Sequence, residues 1–522
     1  MEGKNLTIKM AGRIDSNNSA EVEQNILADI GGAQLDTLVI DASELEYISS
    51  AGLRVILRLK KTYPDLRITG VSSEVYEILD MTGFTEMMTV EKAYRVVSVD
   101  GCEILGRGAN GTVYRYNRDT VVKVYHNADA LDDIRHEREV AKLALILGIP
   151  TSISYDVVKV GDSYGTVFEM LDANSFSKII TNEPEKRDWC VGEYVKMLKT
   201  IHGTLVPAGK LPSIRDTVIS WARFMVDYLP EGLGKKLVDM VEAVPHDDHM
   251  IHGDYHTGNL MLQNDEVLII DMDTLAVGNP IFELASMYNG FVGFYEVDRE
   301  LVKKFQGYDY ETSKEFWRKA LAEYLGTRCE VKIREVEEKA QIIGYTRLVR
   351  RSIRRGGMDT EEGRKQIEFW RGRLIELLEK NDTLLFNPDE LEIEAIAENL
   401  DDVQAFVDER LEAAGCPMKA QMQINLAVEE IFVNISSYAY APDKGNAIVR
   451  VEVSGDPVTV TITFVDHGVP YDPLAKEDPD VTLSAEERGI GGLGIFMTKK
   501  LMDDVAYEYK DGKNILTLKK NI

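Results

Sequence analysis

Cysteine is scarce in this chain of 522 residues, and the few cysteines lie far apart. Cys102, Cys190, Cys329 and Cys416 form no CxxC pair, so the sequence predicts neither a disulfide framework nor a zinc site. A reducing compartment is the simplest expectation from this spacing.

Long apolar runs are missing as well. The N-terminus, MEGKNLTIKM, has no apolar signal core, and no stretch approaches the length that spans a bilayer. Acidic side chains outnumber basic ones by 88 to 60, and the net charge of −28 argues against nonspecific binding to nucleic acid or anionic lipid. We therefore expect a soluble, cytoplasmic protein whose partners are proteins or small molecules.

The pattern of strands and helices divides the chain into three blocks, and a chain of this length needs several hydrophobic cores. Residues 1–99 alternate strand-like and helix-like patterns. Residues 100–387 begin with Gly-rich turns between short strands and continue with helical periodicity. Residues 388–522 follow the junction FNPDEL and end in the strand-like NILTLKK. The predicted fold class is multidomain α/β and α+β.

The middle block opens with LGRGANGTVYRY, a glycine spacing typical of phosphate-binding hairpins. Glycines let a hairpin backbone lie close to phosphates, and a lysine on the next strand can neutralise the α and β oxygens. The residues are Gly106, Gly108, Gly111 and Lys123. Because Gly-rich turns are common, this pattern alone predicts a kinase only weakly.

Two later segments, IHGDYHTGNL and LIIDMD, supply polar groups that phosphoryl transfer requires. The chemistry needs an aspartate to orient or deprotonate the attacking hydroxyl, an asparagine on one metal ion, and an aspartate that bridges the metals to ATP. Asp254, Asn259 and Asp271 occur in this order and are predicted to fill these roles.

A glutamate from the helix HEREVAKLALILGIP is expected to pair with Lys123 and to hold it over the phosphates. Glu139 is the predicted partner, with Glu137 as the alternative. The sequence does not decide between the two.

Together these segments resemble the aminoglycoside phosphotransferase and choline kinase branch of the kinase fold, over about residues 100–385. HGDxxxxN, IDxD and GNPIFELA carry the resemblance, which implies a bilobal, protein-kinase-like domain that uses ATP and Mg²⁺. The sequence departs from eukaryotic-type protein kinases in having HGD for HRD and DMD for DFG, and it has almost no room for an activation loop. Asp273 is either a second carboxylate near the metal or a helix cap, and His252 and His256 are expected to support the loop. A degenerate, inactive kinase is the alternative.

The C-terminal block contains a second set of polar residues that suits a ligand site. In INLAVEEIFVNISSYAY, Glu430 and Asn434 lie at i and i+4, on one face of an amphipathic helix. VDHGVPYDPL then places Asp466 and Gly468 in a tight turn, and RGIGGLGIFM gives a Gly-rich segment that leads into a helix.

These parts resemble the GHKL (Bergerat) α/β sandwich, and DHGVPYDPL with GGLGIFM favours its anti-sigma-factor serine kinases, over about residues 390–522. The resemblance implies that Asn434 holds magnesium, Asp466 accepts a hydrogen bond from adenine, and Glu430 is the general base. It further implies a phosphate-binding lid formed by Gly491, Gly492 and Gly494. Arg488 either reaches the γ-phosphate or is an exposed arginine without a partner.

A histidine kinase is the obvious rival for the C-terminal block. That chemistry requires a phosphoacceptor histidine on an upstream helix, and no histidine lies between His256 and His467. We therefore set the histidine-kinase interpretation aside.

The N-terminal block contains LDTLVIDASELEYISSAGLRVILRLKK, a buried strand, an acidic turn and a helix from Ser50 to Lys61. Serines at such a helix start are ordinary N-caps, but the same location also favours a phosphate. The block resembles a STAS domain, the fold of anti-sigma-factor antagonists, over about residues 1–99. Aligning Gly52 with the family's DSSGL pattern puts Ala51 where the phosphorylated serine usually stands, which leaves Ser50, and behind it Ser49, as acceptors.

Phosphorylation in this loop could therefore be lost, could have moved by one residue, or could be mimicked by the acidic neighbourhood of Asp15 and Asp41. The sequence does not decide among these three.

Three functions compete. The first is a fused partner-switching regulator in which the C-terminal kinase phosphorylates a STAS serine, with Ser50 as the candidate, and the middle kinase phosphorylates an unknown hydroxyl. Its protein partners are of the anti-sigma and antagonist type. The second is a phosphotransferase for a hydroxylated, cationic small molecule such as an aminosugar or a choline-like amine, drawn to acidic clefts and regulated by the flanking domains. The third is a nucleotide-binding scaffold without turnover. STAS domains and anti-sigma kinases often pair, so a homodimer is also considered, although no residue pattern indicates one.

Overall fold

The computed structural model describes residues 5–33, 35–108, 110–171, 173–455, 457–475 and 493–522. The chain folds into two compact units. The first contains residues 1–139 and 152–171, and the second contains residues 140–151 and 172–522.

The N-terminal part of the first unit is a parallel four-stranded sheet, in the order β1-β2-β3-β4, with four helices. Leu38 and Ile40 are fully buried, and burial alternates along β2, as in a strand with one face on the core. The predicted helix that starts at Ser50 is confirmed. The elements are β1 (Asn5–Ile14), α1 (Ser19–Ile30), β2 (Thr37–Ile48), α2 (Ser50–Thr62), β3 (Leu66–Val71), α3 (Ser73–Met81), α4 (Phe84–Met87) and β4 (Thr89–Lys92).

The rest of the first unit is a six-stranded sheet with its strands in the order β5-β9-β10-β8-β7-β6. Every pairing is antiparallel except that of β5 with β9, so the strands run mostly as meandering hairpins. The elements are β5 (Arg95–Val96), β6 (Glu103–Arg107), β7 (Gly111–Arg115), β8 (Thr120–Tyr125), α5 (Leu131–Ile146), β9 (Asp156–Val160) and β10 (Ser163–Glu169), with the end of α5 counted in the second unit.

The second unit begins as a largely helical region around one large apolar core, with two small sheets, β11-β13-β14 and β12-β15. Its elements are β11 (Asn174–Ser175), α6 (Phe176–Asn182), α7 (Arg187–His202), α8 (Ile214–Met225), α9 (Leu233–Glu242), β12 (Met250–Ile251), β13 (Leu260–Gln263), β14 (Glu266–Ile269), β15 (Ala276–Val277), α10 (Pro280–Phe291), α11 (Glu300–Gln306), α12 (Tyr310–Leu325), α13 (Glu330–Arg354) and α14 (Glu361–Lys380). Short 3₁₀ turns cover Pro184–Lys186, Val226–Tyr228, Met272–Thr274, Gly293–Tyr295 and Gly357–Asp359.

The second unit ends in an antiparallel five-stranded sheet, in the order β16-β17-β18-β20-β19, with helices on its apolar face. A π-helical turn, Ile435–Ala439, continues directly from the second of these helices. The elements are β16 (Glu390–Glu394), a 3₁₀ turn (Ala397–Asn399), α15 (Leu400–Ala413), α16 (Met418–Asn434), β17 (Asn446–Ser454), β18 (Thr459–Asp466), α17 (Leu493–Leu501), β19 (Asp504–Lys510) and β20 (Lys513–Asn521).

The α13 helix belongs to both cores of the second unit. Cys329, its N-cap, is buried with the core of the five-stranded sheet, and Val331 packs against the same core. Residues from Ile333 onward belong to the core of the helical region. One helix therefore runs from one core into the other.

The described helices were searched for membrane spans, and none combines the length and the apolar character that crossing a bilayer requires.

Candidate active sites

The predicted glycine hairpin is formed by β6 and β7. Gly108 N–H donates to the Gly111 carbonyl at 2.9 Å, which closes the turn. A side chain at Gly111 would place its Cβ 2.6 Å from the Val124 carbonyl of β8, so only glycine fits there. Gly106 has open space at its Cβ position, which leaves its backbone accessible.

Lys123 pairs with Glu137, and the prediction of Glu139 as its partner is wrong. Lys123 Nζ lies 2.9 Å from both carboxylate oxygens of Glu137, and Tyr125 Oη donates to the same carboxylate at 2.5 Å. Successive helix residues are turned by about 100°, so Glu139 points about 200° away from Glu137. It is exposed to solvent.

In the second unit, the loop between β12 and β13 brings Asp254 and Asn259 together. Asn259 is 7% exposed, and its Nδ2 donates to the Asp254 carbonyl at 3.0 Å. The Asp254 carboxylate itself is half exposed, with His256 Nε2 at 3.7 Å from Oδ2. This loop holds the asparagine rigidly and leaves the aspartate open to a substrate.

Asp271 follows β14 in a left-handed conformation, with φ of 64°. This conformation is uncommon for a residue other than glycine and occurs often at functional sites. The adjacent Ile270 N–H donates to the Asn259 carbonyl at 2.9 Å, so the segment that carries Asp271 is bonded directly to the loop of Asp254.

The donor set suits a magnesium ion that is held partly by phosphates. Among the described residues, no group of three or more His, Cys, Asp or Glu side chains is placed to hold a metal alone. Mg²⁺ in phosphotransferases is usually held by one or two carboxylates together with substrate phosphates and water. Asn259 and Asp271 fit that mode.

Glu283 of α10 is a residue that the sequence analysis missed. Its carboxylate is fully buried, accepts from the backbone of His252 and accepts from Gly253 N–H at 3.1 Å. Burial raises the pKa of Glu283 to about 7, and the two backbone donors oppose that rise. Glu283 therefore fixes the backbone immediately before Asp254.

Three further features hold the same loop. Thr274 Oγ1 donates to the His252 carbonyl at 2.7 Å, and Ser286 Oγ donates to the Gly253 carbonyl at 2.8 Å. Gly253 has φ of 82°, and a Cβ there would lie 2.6 Å from the Thr274 carbonyl. Burial lowers the pKa of His252 to about 4, so this imidazole is neutral and structural at neutral pH.

In the C-terminal block, Glu430 and Asn434 lie one turn apart on α16, and both are partly exposed. Asn434 is the last residue of α16, before the π-helical turn, a geometry that is frequent at functional sites. A Cβ at Gly494, near the start of α17, would collide with the Glu430 carboxylate. The structure therefore brings Glu430 against the end of the predicted glycine lid.

Asp466 ends β18 and is 6% exposed. Its Oδ1 accepts from Gly468 N–H at 2.9 Å and from Asn514 Nδ2 at 2.7 Å, whereas Oδ2 accepts no bond from the described residues. A side chain at Gly468 would collide with the Ala439 carbonyl, so the turn requires glycine.

Asn514 of β20 is a second residue that the sequence analysis missed. It is buried, and besides Asp466 it bonds the Val469 carbonyl at 3.2 Å and accepts from Tyr507 Oη at 2.7 Å. The predicted residues Gly491 and Gly492, together with Arg488, lie outside the described residues.

In the N-terminal block, Ser49 and Ser50 have different environments. Ser49 is the N-cap of α2, and its Oγ accepts from Ala51 N–H at 3.2 Å. Ser50 is the first helical residue and is exposed. Gly52 is buried, and a Cβ there would lie 2.6 Å from the Ile48 side chain, so the start of α2 packs tightly against β2.

Three family profiles match the chain in the predicted order. The STAS domain matches residues 2–97, the phosphotransferase enzyme family matches residues 101–319, and the histidine kinase-like ATPase domain matches residues 393–520. The serine-protein kinase RsbW of Listeria monocytogenes is 30% identical over 111 residues, which are 20% of this chain and 69% of that protein. The chain belongs to the RsbW family of serine-protein kinases.

The N-terminal block also has a curated relative. BtrV of Bordetella bronchiseptica, named as a candidate anti-sigma factor antagonist, is 29% identical over 85 residues, or 16% of this chain and 72% of that protein. The gentamicin complex of the aminoglycoside phosphotransferase APH(2")-IIa aligns with 60% of this chain and 98% of its own, at 14% identity and a TM-score of 0.36.

These matches confirm the expected domain families and the multidomain fold class. The protein is an ATP-dependent kinase with phosphotransferase, serine-kinase and STAS domains.

Proposed function

We propose that the protein is a fused partner-switching regulator in which the C-terminal kinase domain phosphorylates Ser50. The observation that carries this proposal is the difference between the two serines at the start of α2. The Ser49 hydroxyl is engaged as the helix cap, whereas Ser50 is exposed. With Ala51 at the family's usual acceptor position, Ser50 is the accessible hydroxyl at this site.

A phosphate on Ser50 would lie at the N-terminus of α2, where free backbone amides and the helix dipole favour negative charge. The STAS domain would then present a charged surface in place of a neutral one. Protein partners of the anti-sigma and antagonist type would distinguish the two forms through this charge.

In the C-terminal domain, Glu430 would accept the Ser50 hydroxyl proton while the serine oxygen attacks the γ-phosphorus of ATP and ADP departs. Asp466 Oδ2 is available to accept from the adenine amino group, because both bonds that this carboxylate accepts from the described residues use Oδ1. Asn434 would bind the magnesium ion that neutralises the phosphates. The tether raises the effective concentration of Ser50 to the millimolar range, so little intrinsic affinity is needed.

The middle domain would transfer a phosphoryl group to a second hydroxyl. The support is the loop in which Asn259 bonds the Asp254 backbone, while the Asp254 carboxylate stays open. Asp254 would orient the acceptor hydroxyl, Asn259 and Asp271 would bind Mg²⁺, and Lys123, held by Glu137, would contact the phosphates. A protein in which this domain is the main enzyme and its neighbours regulate it remains the second candidate.

Radiolabelled ATP distinguishes these functions. Wild type, Glu430→Ala and Asp254→Ala are incubated with ATP, and the Ser49/Ser50 peptide is examined by mass spectrometry. We expect a phosphate on Ser50 in wild type and in Asp254→Ala, and none in Glu430→Ala or Ser50→Ala. An unmodified peptide in wild type would contradict the proposal. Sedimentation of the same samples tests the homodimer.

A further inference from the structure

Five arginines crowd the end of α13 in a chain whose net charge is −28. The segment TRLVRRSIRR contains Arg347, Arg350, Arg351, Arg354 and Arg355. The first four are spaced i, i+3, i+4 and i+7, so they share one face of the helix, called here the arginine face.

None of these arginines forms an ion pair with a carboxylate of the described residues. Elsewhere in the structure arginine is commonly paired, as in Arg58 with Glu23 and Arg223 with Glu242. Partial burial, together with the neighbouring arginines, lowers the pKa of Arg351, and the charge of Asp254 opposes this shift. The arginine face therefore carries positive charge that forms no ion pair among the described residues, and the charge of Asp254 acts on Arg351.

Aromatic rings, not carboxylates, support the arginine face. The guanidinium carbons of Arg347 and Arg350 lie 5.7 and 5.9 Å from the ring centre of Trp221, and that of Arg351 lies 5.7 Å from Phe294. Such packing orients a guanidinium without neutralising it, so its N–H groups stay able to bind an anion.

Hydrogen bonds connect the arginine face to the Asp254 loop. Arg347 Nη1 donates to Ser286 Oγ at 2.9 Å, and Ser286 donates to the Gly253 carbonyl at 2.8 Å. Only one peptide unit separates Gly253 from Asp254. Two hydrogen bonds and a peptide unit span on the order of 10 Å, which is the size of a small molecule.

A small cavity of about 20 Å³ lies along this connection. It is large enough for one water molecule or one hydroxyl group. Among the described residues, Asn289 Oδ1 has no hydrogen-bond partner, and neither has the buried Arg350 Nε; Asn289 is 7% exposed. The residues that line the cavity include Trp221, Gly253, Ser286, Asn289, Gly344 and Arg347.

We propose that the acceptor of the middle domain is a small hydroxylated anion, whose phosphate or carboxylate binds the arginine face while its hydroxyl reaches Asp254. Guanidinium groups bind both anions through paired hydrogen bonds. The same charge would repel the aminosugars and choline-like amines that overall acidity suggests. This proposal rests on the proposed phosphotransfer by the middle domain and names its acceptor class.

Calorimetry on the full chain, with its nucleotide sites filled by ADP, tests the binding step separately from turnover. Three probes share one carbon backbone: glycerol 3-phosphate, glycerate and neutral glycerol. Choline is the cationic probe, and a serine-containing acidic peptide represents a macromolecular acceptor. We expect glycerol 3-phosphate or glycerate to bind wild type and Asp254→Ala. Arg351→Gln should weaken binding at least about tenfold, since it removes charge-assisted hydrogen bonds to the anion.

Arg351→Lys keeps the charge but loses the paired geometry, so it should bind with intermediate affinity. Arg299→Gln removes an exposed arginine that is paired with Glu311, and it should bind like wild type. Arg351 is exposed, and equal melting temperatures would verify that the variants are folded.

The outcomes separate the two proposals. If anion binding requires Arg351 but no Asp254-dependent ATP consumption is measured, the anion site is supported and phosphotransfer by the middle domain is contradicted. If the protein consumes ATP with choline but not with the anions, the proposed anionic acceptor class is wrong, whereas phosphotransfer by the middle domain is still supported. Binding of the peptide alone, equal binding by Arg351→Gln, or no binding of either anion at millimolar concentration also overturns the acceptor class.

Discussion

Two glutamates of α5, two positions apart, have opposite environments. Glu137 is 9% exposed and bonds both Lys123 and Tyr125, whereas Glu139 faces solvent. Removing one partner of a largely buried ion pair leaves the other charge uncompensated and costs on the order of 2–5 kcal/mol.

Glu137→Gln should therefore lower Asp254-dependent phosphotransfer at least about tenfold, because Lys123 loses the carboxylate that positions it. Glu139→Gln is the matched control and should change the rate less than about twofold, as an exposed carboxylate contributes little. Initial rates measured in a Glu430→Ala background isolate the middle domain. Equal rates for the two variants would refute the assignment of Glu137.

We expect two buried imidazoles to make the middle domain sensitive to acid. Burial lowers the pKa of His202 to about 3 and that of His252 to about 4, from an ordinary value near 6.5. His202 Nε2 is 4.0 Å from Glu283, but the depressed pKa keeps the imidazole neutral, so this contact is not an ion pair at neutral pH.

A depressed histidine pKa gives stability that is present above pH 6.5 and lost as the pH falls towards the folded value. Each imidazole should cost about 2 kcal/mol between pH 6.5 and 5. Glu283 acts in the opposite sense, because its raised pKa makes the fold more stable as the pH falls from 7 to 4.5, but it is one group against two.

The melting temperature of the middle domain should therefore fall between pH 7 and pH 5. In His202→Gln this fall should be smaller, whatever the absolute stability of the variant, because one titrating group is gone. Scanning calorimetry of each protein at both pH values measures the two differences. An unchanged difference would show that His202 does not titrate in this way.

At the scale of elements, the turn of Asp466 depends on two contacts with the end of the π-helical turn. Gly468 lies against the Ala439 carbonyl, and Val469 N–H donates to that carbonyl at 2.8 Å. The position of Asp466 is thus coupled to the helix that carries Glu430 and Asn434.

Gly468→Ala should destabilise the C-terminal domain by about 1–3 kcal/mol and weaken ATP binding there, since a methyl group has no space beside Ala439. Gly372→Ala is the control. Gly372 lies within α14 with open space at its Cβ position, and alanine there should be neutral or stabilising by up to about 1 kcal/mol. Urea unfolding and nucleotide titration measure both effects, and equal behaviour of the variants would contradict the crowding.

The sequence could predict the elements and residues whose chemistry has a fixed order along the chain. Asp254, Asn259 and Asp271 were predicted because phosphoryl transfer requires these residue types at this spacing. The structure brings their segments together, and their catalytic roles stay predictions. The start of α2 was found because its cap and its apolar periodicity agree.

Residues that act through the backbone or from a distant element had no such signal. Glu283 lies within GNPIFELA and bonds amides 30 residues earlier, and Asn514 lies within a strand pattern 48 residues after Asp466. To choose between Glu137 and Glu139, one must know which face of α5 is turned towards Lys123. The periodicity of the sequence does not determine how the helix is rotated against the sheet. The segment TRLVRRSIRR is visible in the sequence, but the absence of carboxylate partners among the described residues is not.

At the scale of the molecule, α13 joins the core of the C-terminal domain to the Asp254 region. Near its start, Glu335 accepts from Lys332 at 2.9 Å and from Lys339 at 2.5 Å, and Lys339 also donates to the Leu385 carbonyl at 2.6 Å. Lys332 is 1% exposed, and burial lowers its pKa.

Glu335→Gln should leave the Lys332 ammonium buried without its carboxylate and destabilise the junction by about 3–5 kcal/mol. Glu361→Gln removes a carboxylate from an exposed pair with Lys365 and should cost less than about 1 kcal/mol. Hydrogen exchange at α13 and β16 measures local opening. Equal protection in both variants would contradict a structural role for the buried pair.

Because α13 is continuous, its length also sets the rotational orientation of one end relative to the other. The helix has 25 residues, so it spans about 37 Å, and each residue adds about 100° of rotation. One alanine inserted between Lys339 and Gly344 would swing the arginine face by more than a quarter turn away from Ser286, while Cys329 stayed in its core. Length changes in this helix should therefore be tolerated only near whole numbers of turns.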